Sequence, residues 1–364
     1  MNNEYLVLNK LTKEYGAGKN SVRAVDAVDL EVHEGELVTL LGPSGCGKTT
    51  TLRMISGFQT PTDGDIFIDG EKMNWVPPNR RPTAMVFQNY ALFPHLSVFE
   101  NIAYGLRVRH ESREAINRKV HDVMALVGLT GLDKRAPGEL SGGQQQRVSL
   151  GRSLVMEPKV LLLDEPLSNL DAKLRVSTRM EIRKLQQRIG ITTVYVTHDQ
   201  EEAMTLSDRV VIMLDGKIQQ VGTPRQIYAR PKNRFVAGFI GKANFLDARV
   251  EEIGGDRVTV AIAGRRIELS PPGRSVAKGE RVLILVRPES VTVGPPAPDQ
   301  IPGTIADSVY LGSQVLYGVR VGEQIISAEE ADPEERDVFP AGAAVSVQLR
   351  AGNLHVLPFE EEHP

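Results

Sequence analysis

The sequence predicts an α/β domain, a largely parallel sheet covered by helices and interrupted by an inserted helical subdomain, with a separate all-β domain after it. Three observations predict this. The apolar runs "LVTLL" (37–41), "AMVF" (84–87), "VLLLD" (160–164), "TTVYVT" (192–197) and "RVVIML" (209–214) are unbroken rather than alternating. Strands read that way when both faces of a parallel sheet are covered. Between "AMVF" and "VLLLD" lie more than 70 residues with helical period and no strand signal, including "NRKVHDVMALVGL"; they predict an inserted helical subdomain over about 89–157. After "PKNRFVAGFIGKANF" (231–245) the texture changes to short strand-like pieces separated by Gly and Pro.

Those pieces are "DARVEEI", "RVTVAIAG", "RRIELS", "RVLILVRPESVTV", "VLYGVRVG" and "AVSVQLR". Their spacing predicts a small barrel or sandwich. The stretch "GPPAPDQIPG" (294–303) reads as a turn or loop inside it, and "EEADPEERD" (329–337) is an acidic run. The expected division is a first domain over 1–235, a linker over 236–243 and the β domain over 244–364.

Composition narrows the function classes. The 364 residues carry 43 Lys and Arg against 46 Asp and Glu, a net charge of -3, so no global positive field draws the chain to nucleic acid. The single cysteine, Cys46, excludes an internal disulfide framework and fits a reducing compartment, with the cytosol as the default. The opening "MNNEYLVLNKLTKEYG" lacks a basic region followed by a long apolar run, and no stretch reaches the roughly 18 apolar residues of a membrane span. Any membrane role is expected to run through a partner.

The chemistry begins at "GPSGCGKTT" (42–50), which fits G-x-x-x-x-G-K-[ST] with Gly42, Gly47, Lys48 and Thr49 at the defining positions. The loop follows the strand "LVTLL" and opens the helix "TTTLRMISG". Gly42, Pro43, Ser44, Gly45, Cys46, Gly47 and Thr50 form the expected cradle for a nucleotide's phosphates, through the backbone N–H groups of all but Pro43. The helix N-terminus adds positive potential, Lys48 reaches the terminal phosphates and Thr49 ligates Mg²⁺. In "VLLLDEP" a buried strand delivers Asp164 and Glu165 at its C-terminal end, where ligands sit in open α/β sheets. Asp164 is expected to hold Mg²⁺ through water and Glu165 to polarise an attacking water. His198, in "TTVYVTHD", leaves the sheet at the same edge.

A second anion site is expected in "LSGGQQQRVSLGRSLV" (140–155), where Ser141, Gly142, Gly143 and Gln144 open a helix on the inserted subdomain. One chain does not easily fold that subdomain onto its own phosphate loop. Two chains arranged head to tail can each offer this site to the other's nucleotide, so the second site is expected to act in trans.

"GPSGCGKTT", "LSGGQQQR", "VLLLDEP", "SNLD" and "VTHD", in this order, resemble the ATP-binding subunit of an ABC transporter. The resemblance covers essentially the whole chain, and no defining position departs from it. It implies a P-loop NTPase (RecA-like) core binding ATP and Mg²⁺, with two ATPs sandwiched between two copies whose closure drives integral membrane permease subunits. By position, it makes Tyr15 the residue that stacks on adenine, although a tyrosine ending a strand is also ordinary. Gln88, in "VFQNYALFP", becomes the sensor of Mg²⁺ and the γ-phosphate; without the resemblance it is a turn residue. Ser141 and Gly143 become the trans γ-phosphate donors. Asp171, otherwise an N-cap, becomes the acid at the dimer seam. Glu165 becomes the general base, and His198 the contact to the γ-phosphate and the attacking water. Leu92, Phe93 and Leu96 are expected as an exposed patch facing the membrane partner, and Cys46 as a small filler.

The C-terminal domain resembles the oligonucleotide-fold-like (TOBE-like) domain attached to importer ATPases, implying regulation or dimer bracing and no nucleic-acid binding. An external solute-binding protein is implied indirectly, and the location implied is the cytoplasmic face of the inner membrane. The junction "FIGKANFLDA" is closer to the polyamine, ferric iron and phosphonate branches than to the sugar branch. The alternatives are a sugar or sulfate importer and a soluble ABC ATPase acting on ribosomes or DNA; the latter usually carries two cassettes or a coiled-coil insertion, neither of which this sequence has. A P-loop kinase or GTPase would lack "LSGGQ".

Overall fold

A computed structural model describes residues 4–16, 18, 21–254, 257–269, 275–332 and 338–359. They divide into two compact units, 1–224 and 225–364.

In the first unit the chain runs β1 (Glu4–Tyr15), β2 (Val22–His33), β3 (Leu37–Leu41), α1 (Lys48–Ser56), β4 (Asp63–Ile68), β5 (Glu71–Lys72), β6 (Thr83–Val86), α2 (Val98–Val108), α3 (Arg113–Leu126), α4 (Gly142–Leu154), β7 (Val160–Asp164), α5 (Ala172–Ile189), β8 (Thr192–Thr197), α6 (Gln200–Leu206), β9 (Arg209–Leu214) and β10 (Lys217–Gly222). The second unit contains β11 (Asn244–Gly254), β12 (Arg257–Ile262), β13 (Arg265–Leu269), β14 (Arg281–Val286), β15 (Val291–Gly294), β16 (Ile301–Tyr310), β17 (Gln314–Val321), β18 (Gln324–Ala331), β19 (Ala344–Leu349) and β20 (His355–Pro358). Two helices, α7 (Pro224–Ala229) and α8 (Arg234–Phe239), precede these strands.

The central sheet has the order β10-β9-β3-β8-β7-β6, parallel except for the β9–β10 pair. Strands β3, β7 and β8 are buried at every position, which accounts for their unbroken apolar sequences. Each Val or Leu so buried contributes about 1.5–3 kcal/mol. The parallel register pairs Leu41 with Thr197 and Asp164 with Val196, so the residues that follow these three strands emerge side by side.

The five expected strands are present, with the second starting one residue earlier at Thr83. No strand lies between β6 and β7; the interval holds α2, α3 and α4. Ser97 and Ser112 cap the first two of these helices by accepting from Glu100 N–H and Ala115 N–H. The sequence reading did not include the second sheet of this unit, antiparallel with order β2-β1-β4-β5. Its strands are interrupted by irregular register, for example between Leu8 and Leu11 of β1, and their polar positions break up the apolar runs.

In the second unit two five-stranded antiparallel sheets, β13-β12-β11-β14-β20 and β15-β19-β16-β17-β18, share one core that includes Val260, Ile284, Tyr317 and Val347. This is the expected small β architecture. Three strands were not anticipated: β16, β18 and β20. The stretch expected as a loop over 294–303 is shorter, because Gly294 ends β15 and β16 begins at Ile301. Ser270 and residues 333–337 of the acidic run lie outside the described residues.

The boundary also differs. The first unit ends at 224 rather than 235, and residues 236–239 of the expected linker are helical, in α8. The cause is Arg287, which follows β14. Its buried guanidinium donates to the carbonyls of Ala237 and Lys242, both at 2.9 Å, and of Tyr228 at 3.2 Å, and stacks 4.3 Å from the Tyr228 ring centroid. The helical segment is thereby bonded into the β unit.

Arg287→Met strands those three carbonyls. It should destabilise the second unit by about 2–4 kcal/mol. In hydrogen exchange read by mass spectrometry, β14 and β20 should exchange faster while β3 and β7 keep wild-type protection.

Candidate functional site

The phosphate loop is held by two glycines that admit no side chain. A Cβ on Gly42 would lie 2.3 Å from the Met213 carbonyl oxygen, and one on Gly47 would lie 2.4 Å from that of Ala24. Gly47 also sits at φ 102°, a left-handed conformation open to glycine, and there caps α1. Pro43, Ser44, Gly45 and Cys46 complete the turn, and Lys48, Thr49 and Thr50 begin the helix. At the other end of α1, the buried Arg81 donates to the Met54 and Ile55 carbonyls at 2.7 and 2.8 Å, satisfying acceptors that a helix C-terminus leaves open.

Lys48 is buried, and its ammonium donates to the Gly42 and Pro43 carbonyls at 2.7 and 2.8 Å, with Cys46 Sγ at 3.6 Å. A phosphate approaching the loop would offer Lys48 anionic acceptors in place of these neutral ones. Burial pushes the Cys46 thiol up, against the pull of Lys48. The residue fills space beneath the loop, as expected of a small filler.

At the C-terminal edge of the sheet the register brings four loops together. The Thr49 hydroxyl donates to Asp164 Oδ1 at 3.2 Å. Burial raises the Asp164 carboxyl above its usual range, while the Thr49 hydrogen bond and the charges of Arg53 and Lys48 oppose it. Thr49 and Asp164 are hard oxygen donors suited to a divalent cation that keeps waters and phosphate oxygens in its shell. Among the described residues no cluster of three His, Cys, Asp or Glu could hold a metal unaided.

Glu165 Oε2 lies 3.2 Å from His198 Nδ1 and accepts from Gln88 Nε2 at 3.5 Å. The Glu165 backbone sits at φ 43°, a left-handed conformation that costs a side-chain-bearing residue about 1–2 kcal/mol. It is kept there by its N–H bond to the Val196 carbonyl at 3.0 Å and by the Ser168 hydroxyl on its own carbonyl at 2.9 Å. Backbone strain of this kind concentrates at functional positions.

Ser141 caps α4: its hydroxyl accepts from Gln144 N–H, and the Gln144 side chain returns a bond to Ser141 N–H. This leaves the Gly142 and Gly143 N–H groups at the positive end of a 13-residue helix. No hydrogen bond links this helix start to the phosphate loop among the described residues. It packs instead against the loop that carries Asp171, since a Cβ on Gly142 would lie 3.0 Å from Leu170 Cδ2 and one on Gly143 would lie 3.4 Å from Leu174 Cδ1.

Asp171 Oδ1 accepts from Leu174 N–H at 2.9 Å, so it is the N-cap of α5. Tyr15 ends β1, exposed, with Lys13 Nζ 5.3 Å from its ring centroid; no hydrogen bond joins it to the Lys48–Glu165 cluster among the described residues.

Leu92, Phe93 and Leu96 form a less open patch than expected. All three are half-buried. Leu92 packs on the core, while Phe93 lies against Tyr104, ring centroids 4.6 Å apart, and under the Arg152 guanidinium at 5.6 Å. Arg152 and Ser149, both on α4, were not singled out from sequence. They donate to the carbonyls of Tyr90 and Ala91, consecutive residues at φ 59° and 46°. Asn169, also unanticipated, donates to the Gln88 carbonyl at 2.7 Å. Long-range contacts of this kind leave no local sequence signal.

Comparisons with known proteins identify the family. The ABC transporter family model matches residues 25–168, and the TOBE domain model matches residues 284–357. The chain is 49% identical over 354 residues to the spermidine/putrescine import ATP-binding protein PotA of Rubrobacter xylanophilus, covering 96% of this chain and 93% of that one. It is 47% identical over 315 residues to the Fe(3+) ions import ATP-binding protein FbpC 1 of Rhizobium meliloti, covering 86% and 87%. Among solved structures it resembles the ATP-binding cassette MJ0796 in a dimeric post-hydrolysis state bound to ADP and Pi, at TM-score 0.54 and 32% identity over 60% of this chain and 99% of that one. With these relatives spanning nearly its full length, the chain belongs to the ABC transporter family, as an ATP-binding subunit of the import type with a C-terminal TOBE domain.

Proposed function

We propose that the chain is the ATP-hydrolysing motor of an importer, working as a head-to-tail pair on the cytoplasmic face of the membrane. The observation that carries this reading is the convergence of Lys48, Thr49, Asp164, Glu165, Gln88 and His198 on one sheet edge, while among the described residues no hydrogen bond joins the Ser141 helix start to that edge. A second copy supplies what is missing: the Ser141 hydroxyl and the Gly142 and Gly143 N–H groups of one chain meet the γ-phosphate held by the other.

In this reading Lys48 and the loop amides of residues 42–50 grip the phosphates and Tyr15 stacks on the adenine. Thr49, Asp164 and Gln88 hold Mg²⁺, which when bound neutralises phosphate charge. Glu165 takes a proton from the attacking water as general base, and His198 orients that water and the Glu165 carboxylate. ATP and water give ADP and phosphate. Asp171 lies at the seam, so closure of the pair completes both sites together.

Among the described residues no helix is long and apolar enough to cross a membrane. The pair therefore acts through separate integral membrane permease subunits, fed from outside by a solute-binding protein. The half-buried Phe93 region is the contact to those subunits. The solute is a small cation. A polyamine is favoured over ferric iron because matches to relatives named for spermidine and putrescine run over 96% and 100% of the chain, against 86% for the iron-named relatives.

Lys48→Ala should lose turnover and weaken MgATP binding by roughly 100-fold, as expected when a charge-assisted phosphate contact is removed. Ser141→Arg should bind MgATP within about twofold of wild type in the isolated chain yet lose hydrolysis. Fluorescent-nucleotide titration beside a phosphate-release assay separates the two. The transport reading is tested by capturing tagged Glu165→Gln protein with MgATP from detergent-solubilised membranes. Two copies of the chain with polytopic membrane proteins are expected; ribosomes or DNA-repair proteins without a membrane protein would refute it.

A further inference from the structure

One guanidinium joins the loop that carries Asp171 to the loop that carries His198. Arg175, in the first turn of α5, donates from Nη2 to the Leu170 carbonyl at 3.1 Å, and its Nη1 lies 3.6 Å from Asp199 Oδ2. Leu170 immediately precedes Asp171, and Asp199 immediately follows His198.

Each end of this bridge is anchored in its own element. Leu170 is buried and packs on the start of α4 beside Gly142. Asp199 Oδ1 accepts from Glu201 and Glu202 N–H and so opens α6, and the Asp199 N–H donates to Thr197 Oγ1 at 3.0 Å. That hydroxyl donates in turn to the buried carboxylate of Glu202 at 2.7 Å. His198 is thus flanked on both sides by residues whose positions are set by hydrogen bonds, and one of the two contacts Arg175. The Nε of Arg175 is buried without a partner. The guanidinium therefore makes its polar contacts through the two Nη groups, one to each loop.

We propose that Arg175 is a positioning residue for hydrolysis. It transmits the position of the Asp171 loop to His198, so that docking of a second copy at Asp171 sets the distance from His198 Nδ1 to Glu165. The inference rests on the proposed roles of Asp171 and His198. Arg175 itself touches neither nucleotide nor water in this scheme; it acts through Asp199.

The test is a double-mutant cycle on the full-length chain, using Arg175→Met, Asp199→Asn and the double variant, with kcat, KM for ATP and nucleotide affinity measured for each. Arg175→Met is expected to lower kcat by about tenfold or more, because small misplacements of catalytic groups cost that much, while KM and affinity stay within about twofold. Asp199→Asn and the double variant should lose about the same factor, as for two groups acting through one contact. Glu165→Gln/Arg175→Met should still dimerise with MgATP, and Arg175→Lys, too short to span both partners, should not rescue kcat. An unchanged kcat in Arg175→Met, or losses that multiply in the double variant, would overturn the proposal. If Arg175→Met does not fold, Arg175→Lys with Asp199→Asn completes the same cycle. A wild-type rate per chain that is independent of protein concentration would count against the two-copy reading instead of against Arg175.

Discussion

The parallel register of the central sheet is the constraint on which the rest depends. Pairing Leu41 with Thr197 and Asp164 with Val196 forces Gly42, His198 and Glu165 to leave adjacent strands within one residue of the same level. The pairing of β6 with β7, Val86 opposite Leu163, adds Gln88 to that edge. Slipping one strand by one residue would turn its side chains over and move its loop about 3.3 Å along the sheet. Full burial of β3, β7 and β8 makes that slip expensive, so core packing is what holds the chemical groups in range of one another.

Two further features concern the edge itself. Lys48 is held by loop carbonyls and Glu165 lies in a left-handed conformation, so the fold's own contacts place both key side chains. Arg81 at the far end of α1 and Ser168 behind Glu165 hold these arrangements from outside the site. The helix start at Ser141 is organised differently. Its capping box engages the Ser141 and Gln144 N–H groups and leaves those of Gly142 and Gly143 at the helix end, and it is fastened by close glycine packing to Leu170 and Leu174 rather than to the phosphate loop. In the proposed reading that division, a nucleotide edge on one side and a helix start joined to the Asp171 loop as the proposed anion site on the other, makes a second copy the natural complement.

Much of this was legible in the sequence because the relevant signals are local. Strands buried on both faces are unbroken apolar runs, and the phosphate loop, the Asp164–Glu165 pair and His198 each follow such a run directly. The antiparallel sheet was passed over even though β2 alternates clearly at Val28, Leu30 and Val32; a reading built on unbroken runs does not register period two. Strand β16 is hidden because its second and third residues, Pro302 and Gly303, belong to a Pro- and Gly-rich stretch. Half of the expected linker, residues 236–239, is helical, and its link to the β unit runs through Arg287, some 50 positions away. The positive φ of Glu165, the Arg152 clamp on Tyr90 and Ala91, and the Arg175 bridge also depend on contacts between distant segments, which no local pattern encodes.

The account's central claim is that each hydrolytic site is shared between two copies, and mixing two inactive variants tests it most directly. Lys48→Ala spoils a chain's own phosphate loop and leaves its Ser141 helix start intact; Ser141→Arg does the reverse. Combined, they form pairs in which one composite site has both halves intact, so the account predicts that the mixture hydrolyses ATP at a substantial fraction of the wild-type rate. If the mixture shows only the summed residual activities of the two variants, although mixed pairs are detected, the sites are not shared and the account is wrong.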